Sequence, residues 1–318
     1  MNIKFSISVK LLLMLTCLVA GSSAILHDVW SAFLDEIYKH GDVIVKNNET
    51  TTTTPPPPYD CYPPFEHPHV FECNVEGKRS PERPTSVHRL MPGDIDVVGA
   101  LGDSITAGTG AGACELIGIA IEYRGISWSI GGDNTVEETM TLTNIIKKYN
   151  PNLYGASYGR GGKDSENALF NCAIPGAESA DIYDQAQTLV AKIKHDENVN
   201  VEQDWKLITI WIGYNDLCRS CQDKHKYSAE QYVENIRKGI DYLYHELTRA
   251  VINVVGILNL SELNKLKGQS CEERFSLVCA CAAGLEPEEL EEFEGLTDKY
   301  QVQMQLNRLI TICHYNDL

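Results

Sequence analysis

Apolar positions between residues 95 and 260 follow two periods that take turns along the chain. Ile95 to Leu101 is largely apolar and β-branched, introduced by Pro92-Gly93-Asp94 and stopped by Gly102. That is the pattern of a buried parallel strand. Thr135 with Glu138 forms a capping box, and Leu142, Ile145, Ile146 and Tyr149 then share a helical face until Asn150-Pro151. Ser179 opens a further predicted helix with Ile182, Ala186, Leu189, Val190 and Ile193 on one side, and Leu207 to Ile212 reads as a central strand. Ser228 with Gln231 is a second capping box, ahead of the stripe Tyr232, Ile236, Ile240, Leu243 and Leu247 and the strand Val251 to Leu260. Alternation of this kind predicts an α/β fold of three layers, α/β/α, with a mainly parallel sheet and a ligand site at the carboxyl ends of its strands. The acidic run Glu286 to Glu294 reads as the solvated start of one more helix.

The amino-terminal pattern is different. Lys4 and Lys10 precede the apolar run Leu11 to Ala20, and Gly21-Ser22-Ser23-Ala24 supplies small residues for cleavage, so residues 1–24 read as a secretory signal. The run is too short to span a bilayer, and no transmembrane span is expected later in the chain. Residues 25–47 carry Leu26, Val29, Trp30, Phe33 and Ile37 at helical spacing, a short amphipathic segment that packs on the main domain, acts as a pro-segment or touches a partner. Residues 48–60 hold Thr50 to Thr54 and Pro55 to Pro58 and form a linker with nothing apolar to bury. Asn48-Glu49-Thr50 and Asn259-Leu260-Ser261 are glycosylation acceptor sequences. The main domain is then 61–318.

Composition narrows the class. A chain of 318 residues with 43% apolar and 22% charged residues can bury a sizeable core, which excludes collagen-like, coiled-coil and wholly disordered architectures. Lys and Arg number 27 against 44 Asp and Glu, a formal charge of −17, and a nucleic-acid partner is excluded for want of a basic footprint. Beyond the signal, ten cysteines remain (61, 73, 114, 172, 218, 221, 271, 279, 281 and 313). In an oxidising compartment they predict disulfides among about 945 possible pairings, with Cys61–Cys73 one local closure. Cys218-Arg-Ser-Cys221 follows a strand and a Gly-Tyr-Asn-Asp turn and does not open a thioredoxin-type helix. Cys279-Ala-Cys281 is too tight for a second zinc knuckle, so disulfide use is the better reading.

Three turns carry candidate chemistry. Gly102-Asp103-Ser104-Ile105 stands directly after the first strand, where a serine presents its hydroxyl and its own N–H to one pocket and Gly102 removes a side chain that would crowd it. Asn171-Cys172-Ala173-Ile174-Pro175-Gly176 precedes a helix, and Gly213-Tyr214-Asn215-Asp216 closes the next strong strand. All three belong at the carboxyl edge. The Ser104 N–H, the Gly176 N–H and the Asn215 amide together suit an acyl-transfer site, which needs fixed donors where a carbonyl oxygen becomes negative. Gly108-Thr109-Gly110-Ala111-Gly112-Ala113 matches the dinucleotide pattern GxGxxA, but it starts seven residues beyond the strand end at Leu101. A rim beside Ser104 is the better account.

These blocks resemble the GDSL/SGNH hydrolase superfamily, with GDSI in place of GDSL. Pro84 to Leu90, Ala100 to Ser104, Ser127-Trp128-Ser129-Ile130-Gly131-Gly132, and Asn215-Asp216-Leu217-Cys218 with Cys221 are similar to its phospholipase B branch. The resemblance covers residues 83–318. It implies hydrolysis of acyl esters of phospholipids and lysophospholipids at a membrane or micelle surface, with no cofactor and no metal. Ser104 would be the nucleophile, Gly176 and Asn215 the oxyanion donors, and Asp103 a buttress of the turn. The family also takes its base and orienting carboxylate from Asp-x-x-His, whereas none of the nine histidines here has Asp three positions before it. The domain therefore reads as lacking its C-terminal catalytic block, with turnover lowered by about 10⁴ to 10⁶. His88, ahead of the first strand, and His314, near the terminus, are poor substitutes. Two alternatives follow: an inactive form that binds lipid without turnover, and an esterase for acetylated sugars.

Overall fold

The computed structural model describes residues 70–113, 116–258, 260, 279–282, 285–306 and 312–313. The expectations for 1–24, 25–47 and 48–60, for Asn48 and Asn259, for Cys61, Cys114 and Cys271, and for His314 lie outside them. Three parallel strands form the centre of the sheet: β1 (Ile95–Gly102), β2 (Trp205–Trp211) and β3 (Ala250–Val254). A short β4 (Ile312–Cys313) joins β3 antiparallel, giving the order β1-β2-β3-β4. On the free edge of β1, the Tyr154 and Asn171 segments add isolated parallel bridges. The three-layer α/β/α arrangement with a mainly parallel sheet is the one the alternation predicts.

Two long helices bury the stripes read from the sequence. α1 (Ser104–Ala107) is a single turn after β1, and α2 (Leu142–Tyr149) and α3 (Ile182–His195) follow before β2. After β2 come α4 (Tyr214–Arg219), α5 (Ala229–Glu246), and, beyond β3, α6 (Pro287–Leu306). Ile182, Ala186, Leu189, Val190 and Ile193 of α3 are buried, as are Tyr232, Ile236, Ile240 and Leu243 of α5. They join Val97, Leu101, Ile208, Ile210 and Ile252 of the strands in one core. Each fully buried aliphatic side chain contributes roughly 1.5–3 kcal/mol, so the stripes rather than helix propensity hold these elements in place.

Local signals are overridden at three points. Thr135 and Glu138 do bond, through Thr135 N–H to the carboxylate at 3.1 Å, but they frame an isolated turn. The helix waits until Leu142, with Thr141 as its cap accepting from Asn144 N–H at 3.0 Å. The reason is Asn144, whose side-chain amide donates to the carbonyls of Asp133 and Thr139, each at 2.9 Å, and holds the intervening chain in a loop. At α5 only half of the expected capping box forms: Ser228 accepts the Gln231 N–H at 3.3 Å, while the Gln231 side chain turns away to Asn235 at 2.8 Å. Strand β3 ends at Val254 rather than Leu260, because the Leu258 N–H leaves the ladder for the Tyr214 hydroxyl at 3.0 Å.

The cysteines pair across the fold. Cys218 bonds Cys279 and Cys221 bonds Cys281, so the CxxC residues are in disulfides but not with each other. The two bridges tie α4, which contains Asn215, and the turn just beyond it to residues 279–282. A loop of about 60 residues closed in this way removes roughly 4 kcal/mol of chain entropy from the unfolded state. Among the described residues Cys73 and Cys172 carry free thiols. The Cys73 thiol lies against the Tyr149 hydroxyl, where Phe71 packs edge-on at 5.9 Å. Among the described residues no helix is long and apolar enough to cross a membrane, and no group of three His, Cys, Asp or Glu is placed to hold a metal ion.

Candidate active site

Ser104 begins α1, directly beyond the carboxyl end of β1, and is half-buried. The turn that presents it is fixed from below. Gln185 of α3 grips Gly102 from both sides, accepting its N–H at 2.8 Å and donating to its carbonyl at 2.9 Å. Gly102 is needed for a reason different from the one expected. A Cβ there would lie 2.5 Å from the Trp211 carbonyl oxygen and 2.6 Å from Thr106 Oγ1, so it is β2 and the floor of α1, not the serine hydroxyl, that leave no room. Asp103 caps α1 by accepting the Ile105 N–H at 2.9 Å.

The second turn is set by its own composition. Ile174-Pro175-Gly176-Ala177 closes with the Ala177 N–H on the Ile174 carbonyl at 3.1 Å, and Gly176 has φ +80°. Proline at the second position and a left-handed residue at the third make this a type II turn, which favours glycine at 176. Gly176 is exposed at the tip. Among the described residues no hydrogen bond is formed by the Gly176 N–H, the Ser104 N–H or the Ser104 hydroxyl.

A short path of hydrogen bonds joins the three turns. The Ile174 N–H donates to the Gly102 carbonyl at 3.1 Å, and the Asn215 side-chain amide donates to the Ala177 carbonyl at 2.8 Å. The Ser104, Gly176 and Asn215 segments therefore meet at one edge of the sheet. Asn215 is half-buried, and one of its two amide protons is committed to Ala177.

Buried acids lie under this edge. Burial, with a smaller push from Asp216, raises the Asp103 carboxyl to about 7, and its Oδ2 has no hydrogen-bond partner. Burial likewise raises Asp216 to about 6, against the opposing effect of Ser179, which donates its N–H at 2.9 Å and its hydroxyl at 2.5 Å. Burial also pushes Glu178 upward, but Lys226, Arg219 and Tyr227 outweigh it and hold the carboxyl below its usual range. The residues that follow the Gly176 turn, Glu178 and Ser179, are thus held by charged partners.

Gly108 to Ala113 forms no phosphate cradle. The amides of Gly108, Thr109, Gly110, Ala111 and Ala113 donate to the carbonyls of Ile105, Ser104, Ile121, Gly108 and Gly110, so this segment closes α1 and borders the serine. Of the described histidines, His88 sits at the amino end of β1, His195 ends α3, His245 ends α5 and His225 is exposed in the turn before α5. None of the four is hydrogen-bonded to Ser104. The sequence reading misses Gln185 and Arg124, whose guanidinium binds the Asn171 and Ala173 carbonyls, and names Ser179 only as a helix opener, without its bonds to Asp216. For Gly176, the Pro-Gly pair is a legible signal of turn type; for the other three nothing local marks them.

Comparison with known proteins gives a consistent picture. The family model described as GDSL-like Lipase/Acylhydrolase matches residues 98–307. "Phospholipase B1, membrane-associated" of Mus musculus is 42% identical over 208 residues, covering 64% of this chain and 14% of that protein. The Rattus norvegicus protein of that name is 39% identical over 239 residues, 73% of this chain and 16% of that one. The Homo sapiens protein is 45% identical over 185 residues, 58% and 13%. The chain spans at most 16% of the length of these curated relatives.

Proposed function

This chain belongs to the GDSL-like lipase/acylhydrolase family, and on that premise we propose that it is a secreted serine ester hydrolase of the phospholipase B type. Its substrates are acyl esters of phospholipids and lysophospholipids met at a membrane or micelle surface. Ser104 is the nucleophile. Attack of its oxygen on the acyl carbonyl forms a tetrahedral oxyanion, whose charge is taken by the Ser104 N–H, the Gly176 N–H and the free amide proton of Asn215. Collapse expels the alcohol and leaves an acyl-serine, and water then releases the fatty acid. Asp103 supports the turn as the cap of α1. A signal at residues 1–24 and the two disulfides fit an oxidising, extracellular destination.

The observation that supports this reading is the bonded path from Gly102 through Ile174 and Ala177 to Asn215, which links the segments carrying Ser104, Gly176 and Asn215. The serine proton also needs an acceptor. None of the nine histidines has the Asp-x-x-His context, so turnover by these 318 residues rests on charge stabilisation, about 10³ to 10⁴ over water.

A fluorophosphonate probe tests the reading. Ser104 is expected to label slowly in the 318-residue chain, not at all in S104A, and at least about 10²-fold faster once a segment bearing Asp-x-x-His is appended. Lysophospholipid is expected to be cleaved in preference to acetylated glycan. Equal labelling with and without the appended segment would refute this account of the base, and preference for the glycan would refute the substrate. Lipid binding with no labelling of any form would leave a binding protein.

A further inference from the structure

Arg124 is fully buried, and its guanidinium binds three backbone carbonyls. Its Nε donates to the Gly161 carbonyl at 2.9 Å, Nη1 to the Asn171 carbonyl at 2.9 Å, and Nη2 to the Ala173 carbonyl at 2.8 Å. Nη2 also meets the carboxylate of Glu122, which balances the charge. A guanidinium is planar and its donors point in fixed directions, so three carbonyls bound to it are fixed relative to one another. Two of those three, Asn171 and Ala173, lie immediately before the Ile174–Ala177 turn.

The same segment is linked to the serine. The Asn171 side chain donates to the Thr106 carbonyl of α1 at 3.0 Å and accepts the Ala173 N–H at 3.2 Å. Ser127, three residues beyond Arg124, donates its hydroxyl to that Thr106 carbonyl at 2.6 Å. This buried side chain thus acts beside β1, whose Ala100 and Gly102 carbonyls accept the Cys172 and Ile174 N–H groups, in setting the backbone that leads into the Gly176 turn, and Asn171 ties that backbone to α1. Asn215 and Asp216 hold the far side of the turn, so Arg124 is the only cation among the described residues that binds the near side through the carbonyls of 171 and 173.

We propose that Arg124 is a positioning residue, which holds the Gly176 turn in its working geometry relative to Ser104. Its consequence for catalysis rests on the hydrolase reading above; its effect on the turn does not. A buried ion pair kept only for general stability would have no preference for this backbone segment. The two roles differ in what a lysine can replace, because an ammonium keeps the charge opposite Glu122 but cannot reach three carbonyls in one plane.

The test uses the full chain and two variants. In R124K, kcat for a lysophospholipid is expected to fall about 10²- to 10³-fold, as for loss of one oxyanion donor, with KM changed by less than about threefold. Amide exchange at Ala177, whose N–H closes the turn, should quicken while exchange in β1 and β2 does not. In R124A, added guanidinium is expected to restore the slow Ala177 exchange and at least about tenfold in kcat. Unchanged kcat and unchanged Ala177 exchange in R124K would overturn the proposal. So would variants that stay unfolded even with guanidinium present, since the side chain would then serve the whole core. If the unmodified chain turns over no ester, the hydrolase reading falls, and the exchange measurements still decide the role of Arg124.

Discussion

The two ends of the sheet use buried polar groups in opposite ways. At the amino end nearly every group is satisfied by the protein. Lys206 is fully buried and donates to the carbonyls of Val201, Asp204 and Thr248 at 2.5, 2.8 and 3.0 Å. Asp96 pairs with Arg79 at 2.8 Å and Arg83 at 3.3 Å, and the Pro84 carbonyl accepts from Trp205 at 2.9 Å and Arg249 at 2.7 Å. At the carboxyl end Asp103 Oδ2 is buried without a partner, and the Ser104 and Gly176 amides make no bond among the described residues. For the buried Asp103 oxygen the missing bond is costly, on the order of 1–3 kcal/mol, whereas the Ser104 amide is half-buried and the Gly176 amide is exposed. The difference teaches that the amino end commits its polar groups to closure, while the carboxyl end leaves donors and an acid oxygen uncommitted, as the proposed oxyanion site requires.

The largest effects should fall on turnover at the carboxyl end. Beyond S104A, which removes the proposed nucleophile, N215A is expected to lower kcat by about 10² to 10³ because it takes away the proposed oxyanion donor and the tether to Ala177 together. The melting temperature should move little, since Asn215 is only half-buried in the first turn of α4. Steady-state kinetics on a lysophospholipid beside a thermal melt would check both. A variant with kcat within threefold of the parent would show that the carboxyl end reserves nothing at Asn215.

How far this division can be read from the chain depends on how local its causes are. The β1 run from Ile95, the stripes of α3 and α5, and the three turns at Ser104, Gly176 and Asn215 are written in adjacent residues, and the structure has all of them. The start of α2 departs from its capping box because Asn144 reaches back to Asp133 and Thr139, a competition no capping rule includes. Disulfide pairing is not legible, since Cys218 and Cys221 meet partners 61 and 60 residues away. Arg124 escapes notice for a related reason. Its carbonyl partners stand 37 to 49 residues distant, and an arginine beside a glutamate two positions earlier looks in sequence like any surface pair.

The amino end makes the converse prediction. K206M leaves three carbonyls without their shared donor, so the protein should lose roughly 2–3 kcal/mol of stability. Burial draws the Lys206 ammonium down to about 8, yet below that pH the three carbonyls still meet a charged donor. Turnover per folded molecule should be unchanged within about threefold, as judged from activity normalised to the folded fraction in urea. A kcat loss comparable to that of N215A would erase the distinction between the two ends.

The smallest effect concerns pH. In the folded protein Asp103 binds its proton up to about 7 and Asp216 up to about 6, whereas an unfolded carboxyl releases it near 3.8. Between these values the folded state holds more protons than the unfolded one, so the stability these acids contribute is complete below 3.8 and is lost as pH rises through 6 and 7. Asp103 faces Asp216, Tyr214 and Tyr232, none of which brings a positive charge. D103N keeps an oxygen for the Ile105 N–H but cannot ionise. Its unfolding free energy should therefore decline less between pH 5 and pH 8 than that of the parent, by on the order of 1–2 kcal/mol, in urea titrations at the two pH values. Parallel declines would mean that Asp103 ionises like an acid in water. The carboxyl end would then hold no uncompensated charge beneath the serine, and its contrast with the amino end would reduce to the amides alone.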